Sequence, residues 1–301
     1  MASARDGDPG GATAFVLGGG GVHGAAEVGM LRALEERAIV PDLVVGTSVG
    51  ALNGALLAAD PATAVERLTH LWSTIDEHSP FDASLLERAS TFARTRTHLH
   101  GNHRLQRLLL THLDVRRFEQ LALPFQCVAA SIERAAARWF STGELIPALL
   151  ATTAVPGLLP PVEIDGEHHL DGGLVDSIPV ERAIELGARR IYVLQVGRVE
   201  QPLTPPTWPW EVGLVAFEIS RRHRFVEALQ RVPSGVDVYV LPTGTELRHT
   251  DSAQLRYRDT SDVPERIERA AEAAGDHLDA IATGSYDEVV PFAGPRADRG
   301  P

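Results

Sequence analysis

Ser48 stands between two glycines in the segment Gly46-Thr47-Ser48-Val49-Gly50, directly after an apolar, β-branched run. A helix-forming stretch follows at once, so the local order is strand, sharp turn and helix. Glycines carry no Cβ and let the backbone turn tightly, which leaves the Ser48 hydroxyl exposed at the strand end. The free N–H groups at the start of the new helix favour a developing negative charge. This pattern predicts a nucleophilic serine; a serine that only caps the helix is the simpler alternative.

A run of glycines, G-G-G-G-V-H-G, occupies Gly18–Gly24, between a short apolar run and a helical stretch. Its backbone N–H groups are not obstructed by side chains and can hold an anion. The spacing also fits a dinucleotide fingerprint, which would indicate an oxidoreductase. That fingerprint expects an acidic residue at the end of the second strand, where this chain has Ser48 and its glycines. We therefore favour an oxyanion hole for an acyl tetrahedral intermediate and keep the nucleotide site as an alternative.

Asp171 precedes two glycines, Gly172 and Gly173, at the end of a short polar stretch. Such a motif is usually only a turn. The chain also has an anion-holding loop and a serine at a sharp strand-to-helix turn, which we call the elbow. In this context Asp171 becomes a candidate general base, because the glycines let the carboxylate approach another loop closely. His168 and His169 stand nearby, and on a strand they would point to opposite faces. A Ser-His-Asp hydrolase that uses one of the 12 histidines remains an alternative.

The elements that must position these groups follow from the hydrophobic pattern. Ala14–Leu17, the glycine loop, a helix over Ala25–Arg37 and the strand before the elbow form a βαβ unit, which brings both loops to the carboxyl ends of parallel strands. Further predicted strands are Pro124–Ser131, with Arg138–Phe140 pairing beside it, Arg190–Val196 and Val236–Leu241; further predicted helices begin at Leu145 and cover Val212–Arg231 and Pro264–Ala282.

Length and composition fit one large α/β domain: 301 residues, 44% hydrophobic and 23% charged. We assign residues 1–11 to a disordered tail, 12–284 to the domain and 285–301 to a loose C-terminal tail.

The formal net charge of -12 argues against nucleic-acid binding. Cys127 is the single cysteine, so no intramolecular disulfide forms, and no signal peptide or membrane span is evident, which predicts a cytoplasmic protein. No metal site and no cofactor are expected.

Two features could contact a membrane from its surface. Arginines and histidines dominate the stretch from Arg88 to Arg117, which could bind anionic head groups, although a solvated helix face explains it equally well. Clustered histidines there lack the spacing of a metal site. Trp208 and Trp210 follow a proline-rich segment and could form a lipid-facing lip or simply cover the core. The oligomeric state cannot be inferred from the sequence.

In combination, order and spacing, the three motifs resemble the patatin-like phospholipase family. The likeness covers about Ala14 to Val196: the glycine loop resembles the family's oxyanion loop, Gly46–Gly50 its nucleophile motif and Asp171–Gly173 its aspartate motif. The resemblance implies a three-layer α/β/α sandwich with a mainly parallel central sheet, and a Ser–Asp dyad that hydrolyses acyl esters of lipids. Carried over by position, Ser48 would be the nucleophile and Asp171 the base, with an oxyanion loop made of Gly19, Gly20, Gly21, Val22, His23 and Gly24.

The substrate stays open, since phospholipid, lysophospholipid, acylglycerol and thioester all suit such a site. A lipid-binding regulatory module with little turnover is the alternative from another functional class. One departure from the family concerns His23, where members usually carry arginine or lysine. Histidine has a reference pKa of about 6.5, so we expect any contribution of this side chain to catalysis to fade as the pH rises.

Overall fold

The computed structural model describes residues 11–74, 100–196, 203, 205–207, 209–244 and 262–284. The strands in these ranges are β1 (Ala12–Leu17), β2 (Leu43–Thr47), β3 (Phe125–Ser131), β4 (Ala136–Phe140), β5 (Val162–Ile164), β6 (Glu167–Asp171), β7 (Ala188–Leu194) and β8 (Asp237–Leu241). The α-helices are α1 (Ala25–Glu36), α2 (Val49–Ala59), α3 (Ala64–Ser73), α4 (His103–His112), α5 (Leu145–Thr152), α6 (Val180–Glu185), α7 (Pro209–Gln230) and α8 (Val263–Ala282). Short 3-10 turns cover Gly21–Gly24, Phe118–Gln120 and Gly172–Leu174.

All eight strands belong to one sheet, in the order β5-β6-β3-β2-β1-β7-β8, with β4 paired to β3. The pairs β1/β2, β1/β7, β2/β3 and β7/β8 are parallel, whereas β4, β5 and β6 join by antiparallel pairing. The predicted βαβ unit is confirmed, because β1 and β2 are adjacent and parallel with α1 between them in sequence.

Helices cover both faces of the sheet. Side chains along β1 alternate between two separate apolar clusters: Phe15 and Leu17 belong to one, Ala14 and Val16 to the other. The first cluster takes in residues from α1 to α5 and from α8, and the second takes in residues from α6 and α7. The expected three-layer α/β/α sandwich with a mainly parallel sheet is therefore confirmed. Cys127 is fully buried in β3, as expected for a core residue.

The register of β3 brings two candidate motifs to the same level of the sheet. Thr47, the last residue of β2, pairs with Val128, and Asp171, the last residue of β6, pairs with Ala129. Since Val128 and Ala129 are neighbours, the loops that follow β2 and β6 begin side by side. The end of β1 lies in the same region, because Leu17 pairs with Gly46.

Some predicted boundaries were wrong by a few residues, and some elements were not predicted. The strand predicted over Arg190–Val196 is β7, Ala188–Leu194, which ends where the Leu194 carbonyl accepts a hydrogen bond from the Gly18 N–H. One of these is the hairpin of β5 and β6, whose turn residues Asp165 and Gly166 both have positive φ, 55° and 80°. Another is the short helix α6.

Several predictions lie outside the described residues: the two tails apart from Gly11, Trp208, and the part of the arginine and histidine stretch that precedes His100. Trp210 falls within α7, but its side chain is not described. Among the described helices, none combines the length and apolar character needed to cross a bilayer.

Candidate active site

Ser48 occupies a strained turn between β2 and α2. Its φ is 53° and its ψ is -125°, a conformation that a residue with a side chain rarely adopts. Close packing explains the two flanking glycines: a Cβ on Gly50 would overlap with the carbonyl of Leu17, and a Cβ on Gly46 would lie 2.7 Å from the Cα of Ala51. The turn therefore depends on bare backbone at both positions.

The Ser48 hydroxyl contacts the candidate base directly. Its Oγ donates a hydrogen bond to Oδ2 of Asp171 at 2.6 Å, and both residues are buried, with 8% and 2% of their surfaces exposed. The other carboxylate oxygen, Oδ1, accepts from the Gly173 N–H at 2.7 Å. A Cβ on Gly172 would overlap with the Val128 carbonyl, so this glycine lets the end of β6 approach β3. The structure thus brings together the serine and the aspartate that the sequence singled out.

The surroundings of Asp171 make it a stronger base than an exposed aspartate. Burial raises the pKa of Asp171 from its ordinary value of 3.8 to about 6, although hydrogen bonds from Ser48 and Gly173 and the positive charge of Arg221 lower it. A carboxylate with a pKa near neutrality accepts a proton from a hydroxyl more readily than one with a pKa of 3.8, and it is still ionised at neutral pH.

Thr152, the last residue of α5, holds the turn at Ser48 in place. Its fully buried hydroxyl, at the end of α5, accepts a hydrogen bond from the Ser48 backbone N–H at 3.0 Å. The neighbouring Thr47 hydroxyl donates to the Asp176 carbonyl at 2.8 Å. These contacts hold Thr47 and the Ser48 N–H, where the strained turn begins.

The glycine loop lies against the elbow. The N–H groups of Gly18 and Gly19 are used internally, as donors to the carbonyls of Leu194 and Ser177, each at 3.0 Å. A Cβ on Gly19 would lie 3.3 Å from the Cβ of Ser48, which shows how closely the two segments pack. Within the described ranges, three successive N–H groups of the loop have no acceptor in the protein: Gly20, Gly21 and Val22. They are the donors available to an oxyanion.

Two arginines from the C-terminal helices bind carbonyls of this loop, and sequence reasoning missed both. Arg221 of α7 donates from Nη1 to the Gly19 carbonyl at 2.9 Å, and Arg266 of α8 donates from Nη1 to the Val22 carbonyl at 3.0 Å. Arg221 lies 202 residues from Gly19 and Arg266 lies 244 residues from Val22, so no local pattern could have revealed these pairs.

A buried polar network joins the loop to the elbow helix. Asn53 of α2 donates from Nδ2 to the Gly24 carbonyl at 3.0 Å and to Oε2 of Glu27 at 2.7 Å, and its Oδ1 accepts from the Trp72 indole at 3.0 Å. Burial raises the pKa of Glu27 well above its ordinary value, although the hydrogen bond from Asn53 lowers it. The network ties α1, α2 and α3 together beneath the loop.

The two histidines beside Asp171 are engaged elsewhere. The His168 ring contacts Oε1 of Glu133 at 2.8 Å on the surface. The His169 ring is buried, lies 3.3 Å from the Val162 carbonyl and packs edge-on against Phe140. The expectation that the two point to opposite faces agrees with one being exposed and the other buried. The direct contact of Ser48 with Asp171 favours a dyad over a histidine-mediated triad.

His23 is the next-to-last residue of the glycine loop. Its backbone N–H donates to the Gly20 carbonyl at 3.3 Å, and its side chain lines a small cavity. The other residues that line this cavity are Ala26, Val196, Thr243, Asp262, Arg266 and Arg269. Two arginines thus share this cavity with His23.

Three residues in the described part of the arginine and histidine stretch are held by the protein, whereas His103, Arg104 and Arg107 are exposed. Arg117 pairs with Glu144 at 2.9 Å, and Arg116 donates to the Leu110 carbonyl at 3.1 Å. His100 is buried, with 3% of its surface exposed. Membrane contact by this stretch, or by Trp208 and Trp210, stays a prediction.

All three motifs fall within the segment that matches a known protein family. The family model described as patatin-like phospholipase matches residues 15–184, which include the glycine loop, the elbow and the aspartate motif.

Among curated proteins, the chain is 32% identical over 189 residues to Lysophospholipase NTE1 of Mycosarcoma maydis, covering 62% of this chain and 10% of that protein. It is 28% identical over 286 residues to Lysophospholipase nte1 of Emericella nidulans, covering 92% of this chain and 17% of that protein. A patatin-like phospholipase domain-containing protein of Caenorhabditis elegans is 34% identical over 194 residues, with 64% of this chain and 14% of that protein covered. The chain thus spans less than a fifth of the length of these relatives.

Among solved structures, VipD from Legionella pneumophila superimposes with a TM-score of 0.46 at 14% identity, covering 90% of this chain and 67% of that chain.

Proposed function

The chain belongs to the patatin-like phospholipase family, and from that premise we propose that it is a serine acyl hydrolase that cleaves carboxylic-ester bonds of lipids. Ser48 is the nucleophile in this proposal and Asp171 the general base. The observation that carries it is the 2.6 Å hydrogen bond from the buried Ser48 hydroxyl to Asp171, made next to three available loop N–H groups. Nucleophile, base and oxyanion donors are the three parts that acyl transfer needs.

The first half of the reaction forms an acyl-enzyme. Asp171 Oδ2 takes the proton of Ser48 as Oγ attacks the ester carbonyl carbon, and the carbonyl oxygen becomes an oxyanion. The N–H groups of Gly20, Gly21 and Val22 stabilise that charge. When the tetrahedral intermediate collapses, the bond to the leaving alcohol breaks, the alcohol oxygen takes the proton from Asp171, and the acyl group stays on Ser48.

The second half releases the acyl group. A water molecule attacks the acyl carbon and passes a proton to Asp171, which gives a second tetrahedral oxyanion in the same loop. Collapse of this intermediate returns the proton to Ser48 Oγ and releases the carboxylic acid. The raised pKa of Asp171 serves both halves, since the same carboxylate must accept and return a proton in each.

We propose lipid esters as the substrate class. Relatives named as lysophospholipases support this choice, but the chain matches only a part of each. Head group and acyl-chain length are best determined with a panel of phospholipids, lysophospholipids and acylglycerols, each hydrolysed by wild type and by Ser48→Ala. Only hydrolysis that disappears in Ser48→Ala counts as activity of this site.

The test of the dyad uses a short-chain nitrophenyl ester. Ser48→Ala and Asp171→Asn are each expected to lower kcat at least about a thousandfold without unfolding the protein, which circular dichroism checks. Ala replacement of His168 or His169 should leave turnover in place, because neither histidine contacts Ser48. Retention of most activity by either dyad variant would refute the mechanism.

Labelling separates an enzyme from a lipid-binding module with little turnover. A fluorophosphonate reacts with an activated serine, so wild type should be labelled at Ser48 and Asp171→Asn should be labelled far more slowly. Lipid binding without labelling would identify the module instead. A shift of the melting temperature by NAD or NADP would favour the nucleotide-binding alternative.

A further inference from the structure

Arg221 lies almost fully buried beside the glycine loop, with 5% of its surface exposed. Its Nη1 donates a hydrogen bond to the Gly19 carbonyl at 2.9 Å. Glu218 fixes another edge of the guanidinium, since its carboxylate accepts from Nε at 3.0 Å and from Nη2 at 2.6 Å. A planar guanidinium that is held at two edges has a single orientation.

The bond to Gly19 also determines where the next amide points. In a planar trans peptide unit, the C=O and the following N–H point in opposite directions. Because Arg221 holds the Gly19 carbonyl, the Gly20 N–H is directed away from Arg221. The preceding peptide is fixed as well, since the Gly19 N–H donates to the Ser177 carbonyl at 3.0 Å. Gly19 itself packs against Ser48.

We propose that Arg221 is a positioning residue for acyl transfer: by holding the Gly19–Gly20 peptide, it aims the Gly20 N–H at the oxyanion that forms when Ser48 attacks the ester. The proposal rests on the proposed function, because it names the group that keeps the oxyanion hole in shape. Arg221 does not touch the substrate in this arrangement. Its effect passes through the loop.

The charge of Arg221 has a second effect, on the base. Burial raises the pKa of Asp171 to about 6, and the positive charge of Arg221 is among the influences that keep it from rising further. Burial also raises the pKa of Glu218, but its arginine neighbours Arg221 and Arg222 more than offset this, so the pKa of Glu218 is lowered overall. Removal of Arg221 takes away one of the three influences that lower the pKa of Asp171, while the hydrogen bonds from Ser48 and Gly173 remain.

Arg221→Met tests both effects with a nitrophenyl ester. We expect kcat to fall about 10- to 100-fold with KM changed by less than about twofold, because an oxyanion donor acts mainly in the transition state. The acid side of the pH profile should move to higher pH, since Asp171 loses a nearby positive charge. Arg231→Met is the matched control: it makes the same change at the position just after α7, where the side chain is 64% exposed and pairs with Glu181 and Glu227.

Arg221→Lys separates charge from geometry. It keeps the positive charge, so the acid side of the profile should stay close to that of wild type. A lysine cannot hold Gly19 and both carboxylate oxygens of Glu218 in one rigid plane, so kcat should lie between those of wild type and Arg221→Met.

Loss of Arg221 leaves the largely buried Glu218 paired with Arg222, at 3.1 Å, and this loss could unfold Arg221→Met. The double variant Glu218→Gln/Arg221→Met avoids this by removing both charges. Titration with a fluorophosphonate counts the folded active sites, so kcat refers to those alone. If kcat per site and the pH profile of both Arg221→Met and the double variant match those of wild type, the inference is overturned while the hydrolase stands. If wild type neither turns over ester nor takes the label, the proposed function itself fails.

Discussion

The Ser48 hydroxyl lies 2.6 Å from the Asp171 carboxylate, although 123 positions separate the two residues along the chain. Backbone pairing brings them together, because Thr47 and Asp171 pair with the neighbouring residues Val128 and Ala129 of β3. The register of a sheet does not depend on either functional side chain. Substitutions at Ser48 and Asp171 therefore test the chemistry without removing what builds the site.

Activity should rise with pH through about 6. Asp171 must be ionised to accept a proton, and burial raises its pKa to about 6, so the acid side of the kcat/KM profile should have its midpoint near that pH. Asp176 is the carboxyl to exclude, because burial raises its pKa to about 7. Asp176→Asn should keep the same acid side; if its profile loses the midpoint, Asp171 is not the group that titrates.

Asp171→Asn should stabilise the protein at high pH more than at low pH. The folded chain keeps the proton up to about pH 6, whereas the unfolded chain releases it near 3.8. Wild type therefore loses stability between these values as the pH rises, by about 2 to 3 kcal/mol in total, and the loss is complete above pH 6. Urea unfolding at pH 4 and pH 8 measures this difference.

The matched control is Asp114→Asn, which makes the same change at a side chain that is 89% exposed. Its effect should vary little between the two pH values, because an exposed charge loses little solvation on folding. An equal pH dependence for both variants would contradict the conclusion that burial raises the pKa of Asp171.

Thr152→Val should weaken both the fold and the catalysis. The substitution removes the acceptor of the Ser48 N–H and leaves that buried donor unpaired, which costs about 1 to 3 kcal/mol in free energy of unfolding. Because the elbow is strained, its loss of support should also lower kcat about tenfold. Denaturant unfolding and ester kinetics measure the two effects.

Thr153→Val provides the comparison next door. The Thr153 hydroxyl is also buried, but it donates to the Leu149 and Leu150 carbonyls of α5, the helix that ends at the preceding residue. Its replacement should leave kcat near that of wild type. Equal losses of kcat for Thr152→Val and Thr153→Val would show that Thr152 has no special role at the elbow.

His23→Arg should gain activity relative to wild type as the pH rises from 5 to 9. Arginine stays charged throughout this range, whereas histidine, with a reference pKa of about 6.5, loses its charge. The neighbours Asp262, Arg266 and Arg269 are common to both proteins, so the ratio of the two activities isolates the side chain at position 23. His103→Arg, on the exposed side of α4, is the control. If the ratio of His23→Arg activity to wild-type activity stays constant from pH 5 to 9, the charge at position 23 does not contribute to catalysis.

The parts of the molecule that the sequence predicted are those encoded locally. A β-branched run that ends in Gly46 and Ser48 signals a strand and a turn within a few residues, and the same holds for the run before Gly18. The hairpin at Asp165 and Gly166 was also encoded locally, since this dipeptide is a strong hairpin signal, but the sequence analysis did not use it.

The residues that support the site could not be predicted in this way. Arg221 reaches Gly19 across 202 positions and Thr152 reaches Ser48 across 104, so each partner is chosen by the packing of a helix on the sheet. An arginine on α7 or a threonine in α5 looks like any other from the sequence alone. Their roles appear only when the tertiary contacts are known.

Cys127 offers a practical opening for solution studies. It is the single cysteine of the chain, it lies fully buried in β3, and burial raises the pKa of its thiol, so maleimide reagents cannot reach a thiolate in the folded protein. A cysteine introduced at Ile219, which is 54% exposed on α7, would then be the only thiol that a maleimide labels in the folded protein. A fluorophore attached there would report vesicle contact without any background from the native chain.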